Sequence, residues 1–232
     1  MKISLLCPTR KRPDFMQSLW DSVVSTSHNI QNIELVFRID EDDKEAIDKF
    51  EEMKSSQVKV VIGKRGSGNL SKMWNECYEV SSGKILMHCG DDIRFRTVGW
   101  DKVVLEEFEK YEDKIVLVYG DDGIREDDLA THGFIHKNWV DVIGYFLPPY
   151  FSSDMNDYWL TDVAKGIGRL NKINILTEHL HPVAGKHEWD ETHRDRLARR
   201  KRDNVRELFH SLRPKKIEDI NKLKKYIEKY NG

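Results

Sequence analysis

Long apolar runs are absent from this sequence of 232 residues. A transmembrane helix needs about 18 or more predominantly apolar residues, and no segment of the sequence approaches that length. The apolar stretch at the N-terminus ends at Pro8, which is too early for a secretory signal, so we interpret this stretch as a core strand. These absences predict a globular protein without a membrane span, and we expect a cytoplasmic location.

Cysteine is also scarce, because the sequence contains only Cys7, Cys77 and Cys89, without CxxC spacing. An odd number of cysteines without a regular framework argues against a secreted domain that is held by disulfide bonds. Cys7 and Cys89 lie in apolar, strand-like segments, where a free cysteine behaves as a small apolar residue. We therefore predict that both are core residues.

The net charge of −2 conceals an uneven distribution of charge along the chain. Residues 194–232 carry 14 basic and 6 acidic side chains, a net charge of +8, whereas residues 1–193 carry a net charge of −10. A basic C-terminal segment indicates contact with an anionic partner. Packing of this segment on the acidic body of the same protein is the alternative, and composition does not choose between them.

Strand and helix patterns alternate through the first part of the sequence. The predicted strands are 3–7, 33–39, 58–62 and 84–89, and the predicted helices are 14–25, 44–54 and 70–80. This alternation is typical of an α/β fold with right-handed crossovers and a mainly parallel sheet. Ligands bind beyond the carboxyl ends of the strands in such sheets. The segments 8–10, 40–43 and 91–92 follow three of the strands, and we expect them to face one crevice.

The second half of the sequence is less regular. Helices are predicted over 100–111, 153–165, 188–212 and 217–230, and strands over 115–119, 133–136 and 173–176. Polar loops are predicted over 63–69 and 120–128. Because no internal repeat or low-complexity linker divides the chain, we favour one domain followed by a helical C-terminal extension.

Asp91 and Asp92 directly follow the fourth predicted strand. Adjacent carboxylates repel one another unless a cation neutralises them, and Mg²⁺ and Mn²⁺ prefer oxygen ligands. The pair therefore predicts a divalent metal site, and a solvated turn is the alternative. Asp121 and Asp122 form a second pair after a predicted strand, so the dipeptide is a weak signal without its context.

The order of these motifs resembles that of family 2 glycosyltransferases and their GT-A relatives. The matching segments are Pro8-Thr9-Arg10, residues 40–43, residues 68–75, and the Ser-Gly-Lys-Ile-Leu strand that runs into Asp91 and Asp92. The resemblance covers roughly residues 1–105. It implies a GT-A fold, which is Rossmann-like with a mainly parallel sheet flanked by helices. It also implies metal-dependent transfer of a sugar from a nucleoside diphosphate, with UDP as the carrier, to an acceptor hydroxyl.

The resemblance assigns a role to each matching position. Asp92, helped by Asp91, would hold Mn²⁺ or Mg²⁺ against the diphosphate, and which of the two ligates directly stays open because the motif reads Gly-Asp-Asp. The remaining predicted nucleotide-site residues are Pro8, Thr9, Asp40 and Asp42 for the nucleoside, Arg10, Arg12, Lys64, Arg65 and Lys72 for the phosphates, and Asn75. For the basic residues, ordinary surface charge is the alternative.

The implied domains are a catalytic domain at 1–190, divided into nucleotide-binding (1–105) and acceptor (106–190) halves, and a basic helical extension at 191–232.

Residues 153–160 resemble the ED-x-D-x-W-L segment of the same family. By register Asp154 takes the place of the acidic residue that serves as base for the acceptor hydroxyl, and Asp157 matches the later aspartate. A carboxylate at a helix N-terminus is held ionised by the helix dipole, which suits a base. The alternative is that Asp154 or Ser153 caps the helix.

His181 and Lys186 follow the last predicted strand in a run similar to the H-x-x-G-x-x-K segment of several GT-A enzymes. The resemblance implies that His181, or less strongly His179, completes the metal site, and imidazole favours Mn²⁺ over Mg²⁺. Lys186 would then lie over the diphosphate. A structural histidine is the alternative interpretation.

The basic run at 194–206 lacks aromatic residues, so binding of single-stranded nucleic acid by stacking is poorly supported. It permits an anionic acceptor such as DNA, and some small phage enzymes of the GT-A type glycosylate hydroxylated DNA bases; a glycan acceptor stays open. A solvated helix face is the simpler interpretation.

Two other functions are considered, a sugar-phosphate nucleotidyltransferase and a non-catalytic nucleic-acid-binding module. The first is disfavoured because the loop after the first strand contains no glycine.

Overall fold

The computed structural model describes residues 1–65, 69–125 and 129–231. In chain order its elements are β1 (Ile3–Pro8), α1 (Pro13–Thr26), β2 (Ile33–Asp40), α2 (Lys44–Met53), β3 (Val58–Gly63), α3 (Leu70–Val80), β4 (Ile85–His88), β5 (Ile93–Phe95), α4 (Trp100–Glu109), β6 (Leu117–Asp121), β7 (Phe134–His136), α5 (Lys137–Ile143), α6 (Asn156–Gly166), β8 (Leu170–His179), α7 (Glu191–Arg202), α8 (Val205–Ser211) and α9 (Arg213–Asn231). Parts of the predicted loops, residues 66–68 with Gly68 of the third motif and residues 126–128, lie outside the described residues.

The strands form one mixed sheet in the order β3-β2-β1-β4-β7-β6-β8-β5. The strands β1 to β4 are parallel, as is the β6–β8 pair, whereas β7 runs antiparallel to both neighbours and β5 runs antiparallel to β8. The carboxyl ends of β1, β2 and β4 therefore meet at one edge of the sheet. This arrangement confirms the predicted α/β class with a mainly parallel sheet.

Apolar side chains cover both faces of the sheet. One cluster joins β1 and β2 to α1, α2 and α4, and the other joins the opposite face to α5, α6 and α9. Every residue of β2 is buried, as expected for a central parallel strand covered by helices on both sides. Cys7 and Cys89 are fully buried, as predicted, and the three cysteines are free thiols.

Helices α2 and α3 begin where side chains cap them. Asp43 accepts a hydrogen bond from the backbone N–H of Ala46 at the start of α2, and Asn69 accepts one from the backbone N–H of Lys72 at the start of α3. Such caps satisfy N–H groups that have no partner within the helix. The predicted bounds of these two helices agree with the structure to within one residue because periodicity and caps coincide.

Several predicted elements of the second half are wrong in their bounds. The helix predicted from 153 begins at Asn156, because Met155 has φ of 82° and the helix cannot extend back through it. Asp154 and Ser153 therefore do not cap α6. The helix predicted over 188–212 is divided into α7 and α8 at Asn204, whose φ is 43°. The helix predicted over 217–230 begins earlier, at Arg213, because Pro214 lies in its first turn, where proline is tolerated.

Two short elements, β5 and α5, are absent from the prediction because three and seven residues carry too little periodicity. None of the helices in the described ranges combines the length and apolar character that crossing a membrane requires.

Candidate active site

A cavity of about 680 Å³ opens at the carboxyl ends of β1, β2 and β4. Its walls include Thr9 after β1, Asp40 at the end of β2, and Asp91 after β4. The segments after these strands meet at one crevice, as the parallel arrangement requires. The opposite wall comes from the start of α6 and from one face of α7, which the sequence places far from the first half of the chain.

Asp91 lies at the floor of the cavity and is almost completely buried. Its carboxylate accepts a hydrogen bond of 2.7 Å from the Thr9 hydroxyl and one of 2.8 Å from Nη1 of Arg12. Burial raises the pKa of Asp91, and the neighbouring charge of Asp92 acts in the same direction against the opposing charge of Arg12. Both carboxylate oxygens thus already have protein partners, and Asp91 connects the two strand ends.

Asp92 points toward a different group of side chains. Its carboxylate lies 3.3 Å from Nε2 of His179, at the end of β8. Burial alone would raise the pKa of Asp92, but the hydrogen bond and charge of His179 hold it well below its usual range. Gly90 makes this orientation possible, because a Cβ at position 90 would lie 2.5 Å from a carboxylate oxygen of Asp92.

Histidine side chains surround the Asp92 carboxylate. The ring of His132 lies 5.0 Å from that of His179, and the ring of His181 lies 5.1 Å from His179 on another side. Both ring nitrogens of His132 are buried without a hydrogen-bond partner among the described residues. Burial, with the charges of His179 and His88, lowers the pKa of His132 to about 3, so its ring is neutral at pH 7.

These side chains bear on the predicted metal site. Within residues 1–65, 69–125 and 129–231, no group of three or more His, Cys, Asp or Glu side chains is already arranged to hold a metal ion. The donor chemistry nevertheless fits Mn²⁺, since a carboxylate oxygen of Asp92 and the imidazoles of His132 and His179 lie together. His181 uses Nδ1 to accept from the backbone of Val183, so Nε2 is the nitrogen that could ligate. The buried, unpartnered nitrogens of His132 are the specific feature that a metal ion would satisfy.

Arg10, predicted to contact the phosphates, and Asp40, predicted to contact the nucleoside, both line the cavity and pair with each other. Nη1 of Arg10 lies 2.9 Å from Asp40 and 2.7 Å from Asp42. Asp40 also accepts a hydrogen bond from the buried Arg38. The hydrogen bond with Asp42 raises the pKa of Arg10. The charge of Arg10 is thus balanced by carboxylates within the protein.

Asp154 and Asp157 line the cavity near the start of α6 and have different surroundings. Asp154 lies 3.6 Å from Nη1 of Arg196 and 3.4 Å from Nε of Arg200. Burial raises the pKa of Asp157 to about 6, and the charge of Asp154 acts in the same direction. Asp157 lies in the first turn of α6, where the helix dipole favours its ionised form.

The structure brings together ten of the predicted site residues at this cavity: Pro8, Thr9, Arg10, Arg12, Asp40, Asp91, Asp92, Asp154, Asp157 and His181. Six others lie outside the cavity lining as far as the described residues define it: Asp42, Lys64, Arg65, Lys72, Asn75 and Lys186. Asn75 instead donates to the backbone of Leu147 and accepts from it and from Phe146, which secures the segment before α6. Lys186 pairs with Glu178.

Sequence reasoning missed His132 and misplaced the arginines of α7. His132 follows a loop, and no spacing to the other histidines marks it as part of one group. The basic run was visible in the sequence, but its packing over the cavity depends on Asp190, which caps α7 and also binds Arg12 at 2.7 Å. That contact spans 178 residues, so no local pattern could have revealed it.

No model of a known protein family matches the sequence, and no curated protein matches it. The structure is similar to that of S. aureus TarS, with a TM-score of 0.59 and 13% sequence identity over 78% of this chain and 37% of that chain. Residues 1–349 of TarS in complex with UDP-GlcNAc give a TM-score of 0.60 and 13% identity over 83% of this chain and 63% of that one.

The mannosyltransferase PcManGT from Pyrobaculum calidifontis, in complex with GDP-Man and Mn²⁺, gives a TM-score of 0.60 and 11% identity over 97% of this chain and 69% of that chain. The match to TarS spans little more than a third of that protein's length. Identities this low define the fold alone. The fold is the GT-A fold of glycosyltransferases, which confirms the predicted fold class.

Proposed function

We propose that this chain is a glycosyltransferase that moves a sugar from a nucleoside diphosphate, with UDP as the first candidate carrier, to an acceptor hydroxyl. The observation that carries this proposal is the meeting of Thr9, Arg12, Asp91, Asp92 and His179 in one cavity at the carboxyl ends of the strands of a GT-A sheet. The similar structures in complex with UDP-GlcNAc and with GDP-Man and Mn²⁺ support a nucleotide sugar as donor.

Asp92, His179, His132 and His181 are the residues that would hold a divalent metal, with Mn²⁺ favoured by the imidazole donors. The metal, when bound, supplies positive charge that stabilises the developing charge on the departing nucleoside diphosphate. Arg12 and Thr9 keep the Asp91 carboxylate in place, and through it they fix the backbone that presents Asp92. Asp91 is therefore a positioning residue in this proposal, and Asp92 is the direct ligand.

Asp157 is the residue that we assign as base for the acceptor hydroxyl. A base is most effective when its pKa lies near the working pH, and burial brings the pKa of Asp157 to about 6. Asp154, which the sequence favoured for this role, lies between Arg196 and Arg200, and its negative charge is balanced by theirs. Its proposed role is to orient these arginines over the cavity.

Calorimetric titration with UDP, GDP, CDP and TDP, each with and without Mn²⁺, tests the donor site. We expect one nucleotide to bind tightly only with metal, and Asp92→Ala to lose this binding while retaining the circular dichroism spectrum of the wild type. Asp48→Ala is the matched control, since this aspartate is exposed on α2 outside the cavity lining and the variant should retain metal-dependent binding. Full metal-independent binding by Asp92→Ala would contradict the metal assignment.

Further titrations with nucleoside triphosphates and with DNA separate the alternative functions. A sugar-phosphate nucleotidyltransferase should bind a nucleoside triphosphate more tightly than the diphosphate and release pyrophosphate from it. A non-catalytic nucleic-acid-binding module should bind DNA but none of the nucleotides. For the acceptor, a glycan and a hydroxylated base in DNA are both retained, and the basic face of α7 supports an anionic one.

A further inference from the structure

Helix α7 is anchored on the loop that follows β1. Asp190, which caps α7, binds Nε of Arg12 at 2.7 Å, and the hydroxyl of Thr192 donates to the backbone carbonyl of Arg10 at 3.0 Å. The ring of His193 lies 2.9 Å from Nη2 of Arg12. These contacts at the first turn fix the direction of the helix, so residues one and two turns later lie over the cavity.

Two arginines of the cavity lining, Arg10 and Arg12, have carboxylate partners. Arg10 pairs with Asp40, and Arg12 pairs with Asp91 and Asp190. These pairs leave little net positive charge at the cavity floor for a phosphate. A nucleoside diphosphate would therefore need cations from elsewhere in the cavity wall.

Arg199 differs from these two, because its side chain lines the cavity but forms no ion pair or hydrogen bond with any residue that the structure describes. Its Nε is buried without a partner. Burial lowers the pKa of the Arg199 guanidinium, and the carboxylates of Asp195, Asp40 and Asp154 act on it only through their charge. A partly buried guanidinium without a bound anion is unfavourable, so this position favours binding of one.

We propose that Arg199 is a phosphate-binding residue of the donor site, so that α7 supplies the cation that contacts the diphosphate of the nucleotide. This inference rests on the proposed function. A guanidinium presents parallel N–H donors that match the oxygens of a phosphate group. Arg196 and Arg200, held by Asp154, stand beside it on the same helix. The segment predicted as a separate extension is then part of the donor site.

The test compares UDP, UMP and uridine binding to the wild type, Arg199→Gln, Arg199→Lys and Lys201→Gln by calorimetry with Mn²⁺, and repeats the series with GDP, GMP and guanosine. Lys201 is the matched control, because it is exposed on the same helix outside the cavity lining and its replacement removes the same charge. We expect Arg199→Gln to weaken diphosphate binding by about tenfold to hundredfold, the range for a charge-assisted hydrogen bond. Uridine or guanosine binding should change less than twofold, and Arg199→Lys should recover part of the loss.

Two outcomes overturn the inference while leaving the proposed function intact. One is wild-type affinity of Arg199→Gln for the diphosphate, and the other is an equal loss of diphosphate and nucleoside binding. A wild type that binds none of UDP, GDP, CDP and TDP overturns the proposed function itself, and this inference with it. Thermal unfolding of each variant checks that the fold is retained.

Discussion

Nη1 of Arg12 donates a hydrogen bond of 2.8 Å to the carboxylate of Asp91, and the two residues are 79 positions apart in the sequence. Arg12 also binds Asp190, from a third part of the chain. One guanidinium therefore joins the loop after β1, the loop after β4 and the start of α7. Burial is the largest single influence on the pKa of Arg12 and lowers it. The charges of Asp91 and Asp92 and the hydrogen bond with Asp190 together outweigh burial, so the pKa of Arg12 is raised.

Arg12→Ala is expected to lower the free energy of unfolding by about 3–5 kcal/mol, because Asp91 would stay buried without its partner. Urea denaturation at pH 7 measures the change. Arg96→Ala is the control, since Arg96 is half exposed in its ion pair with Glu178 and exposed pairs contribute about 1 kcal/mol or less. Similar losses in the two variants would contradict the joining role of Arg12.

Asp157 predicts the pH dependence of the reaction. The base must be ionised to accept a proton, so with a pKa of about 6 the kcat/KM for donor hydrolysis should fall as the pH drops below about 6 and level off above it. Asp157→Asn should slow hydrolysis by about 10²–10⁴-fold and leave nucleotide affinity unchanged.

Initial rates of donor hydrolysis from pH 5 to pH 8, at saturating Mn²⁺, check this prediction. Asp162→Asn is the control, because Asp162 belongs to the same helix and pairs with Lys216 away from the cavity. An unchanged pH profile in a still active Asp157→Asn variant would show that another group is the base.

Much of the first half of the fold could be predicted because local and tertiary signals agree there. The helices α2 and α3 have caps, apolar periodicity and clear ends, and β1, β2 and β4 are apolar runs followed by polar residues. Parallel strands place their carboxyl ends at one edge, so the meeting of Thr9 and Asp91 followed from topology.

The rest of the site depends on contacts that no local pattern encodes. Lys72 and Asn75 belong to a correctly predicted helix, yet the side chain of Lys72 is exposed and Asn75 binds the backbone before α6. Met155, with φ of 82°, delays the start of α6 and moves Asp154 out of the helix. The placement of Arg199 follows from the Arg12–Asp190 contact, which composition could not reveal.

Glu34 predicts a pH dependence of stability that is independent of the active site. Its carboxylate is fully buried and accepts hydrogen bonds from Ser4 and Ser82. Although burial opposes the effect, these bonds and those from Lys2 and Lys59 hold the pKa of Glu34 well below the ordinary value of a glutamate. A lowered folded-state pKa gives stability that is present above the unfolded pKa and lost as the pH falls through the folded one.

We therefore expect Glu34→Gln to lower the free energy of unfolding by about 2–3 kcal/mol at pH 7, the range for a charged hydrogen-bonding group. The difference from the wild type should shrink progressively as the pH falls below about 4.5. Urea denaturation at pH 7, 5 and 3.5 measures it. Glu106→Gln, at an exposed carboxylate that pairs with Lys102 on the same helix, should show only a small effect at each pH. A difference that stays constant with pH would contradict the prediction for Glu34.

The contacts of Asp219 predict how firmly the C-terminal helix α9 is attached to the rest of the fold. Its buried carboxylate accepts hydrogen bonds from the hydroxyl of Tyr145 and, at 3.2 Å, from Nε1 of Trp159. Asp219→Ala would leave both donors buried without partners, so we expect a loss of about 3 kcal/mol and a fall in Tm of about 6–12 °C. Differential scanning calorimetry measures this shift.

Glu218→Ala, at the neighbouring exposed residue that pairs with Lys215 and Lys222 along the same helix, should change Tm by about 2 °C or less. Equal shifts in the two variants would mean that the hydrogen bonds of Asp219 contribute little to the attachment of α9, because of these two residues only Asp219 bonds to Tyr145 and Trp159.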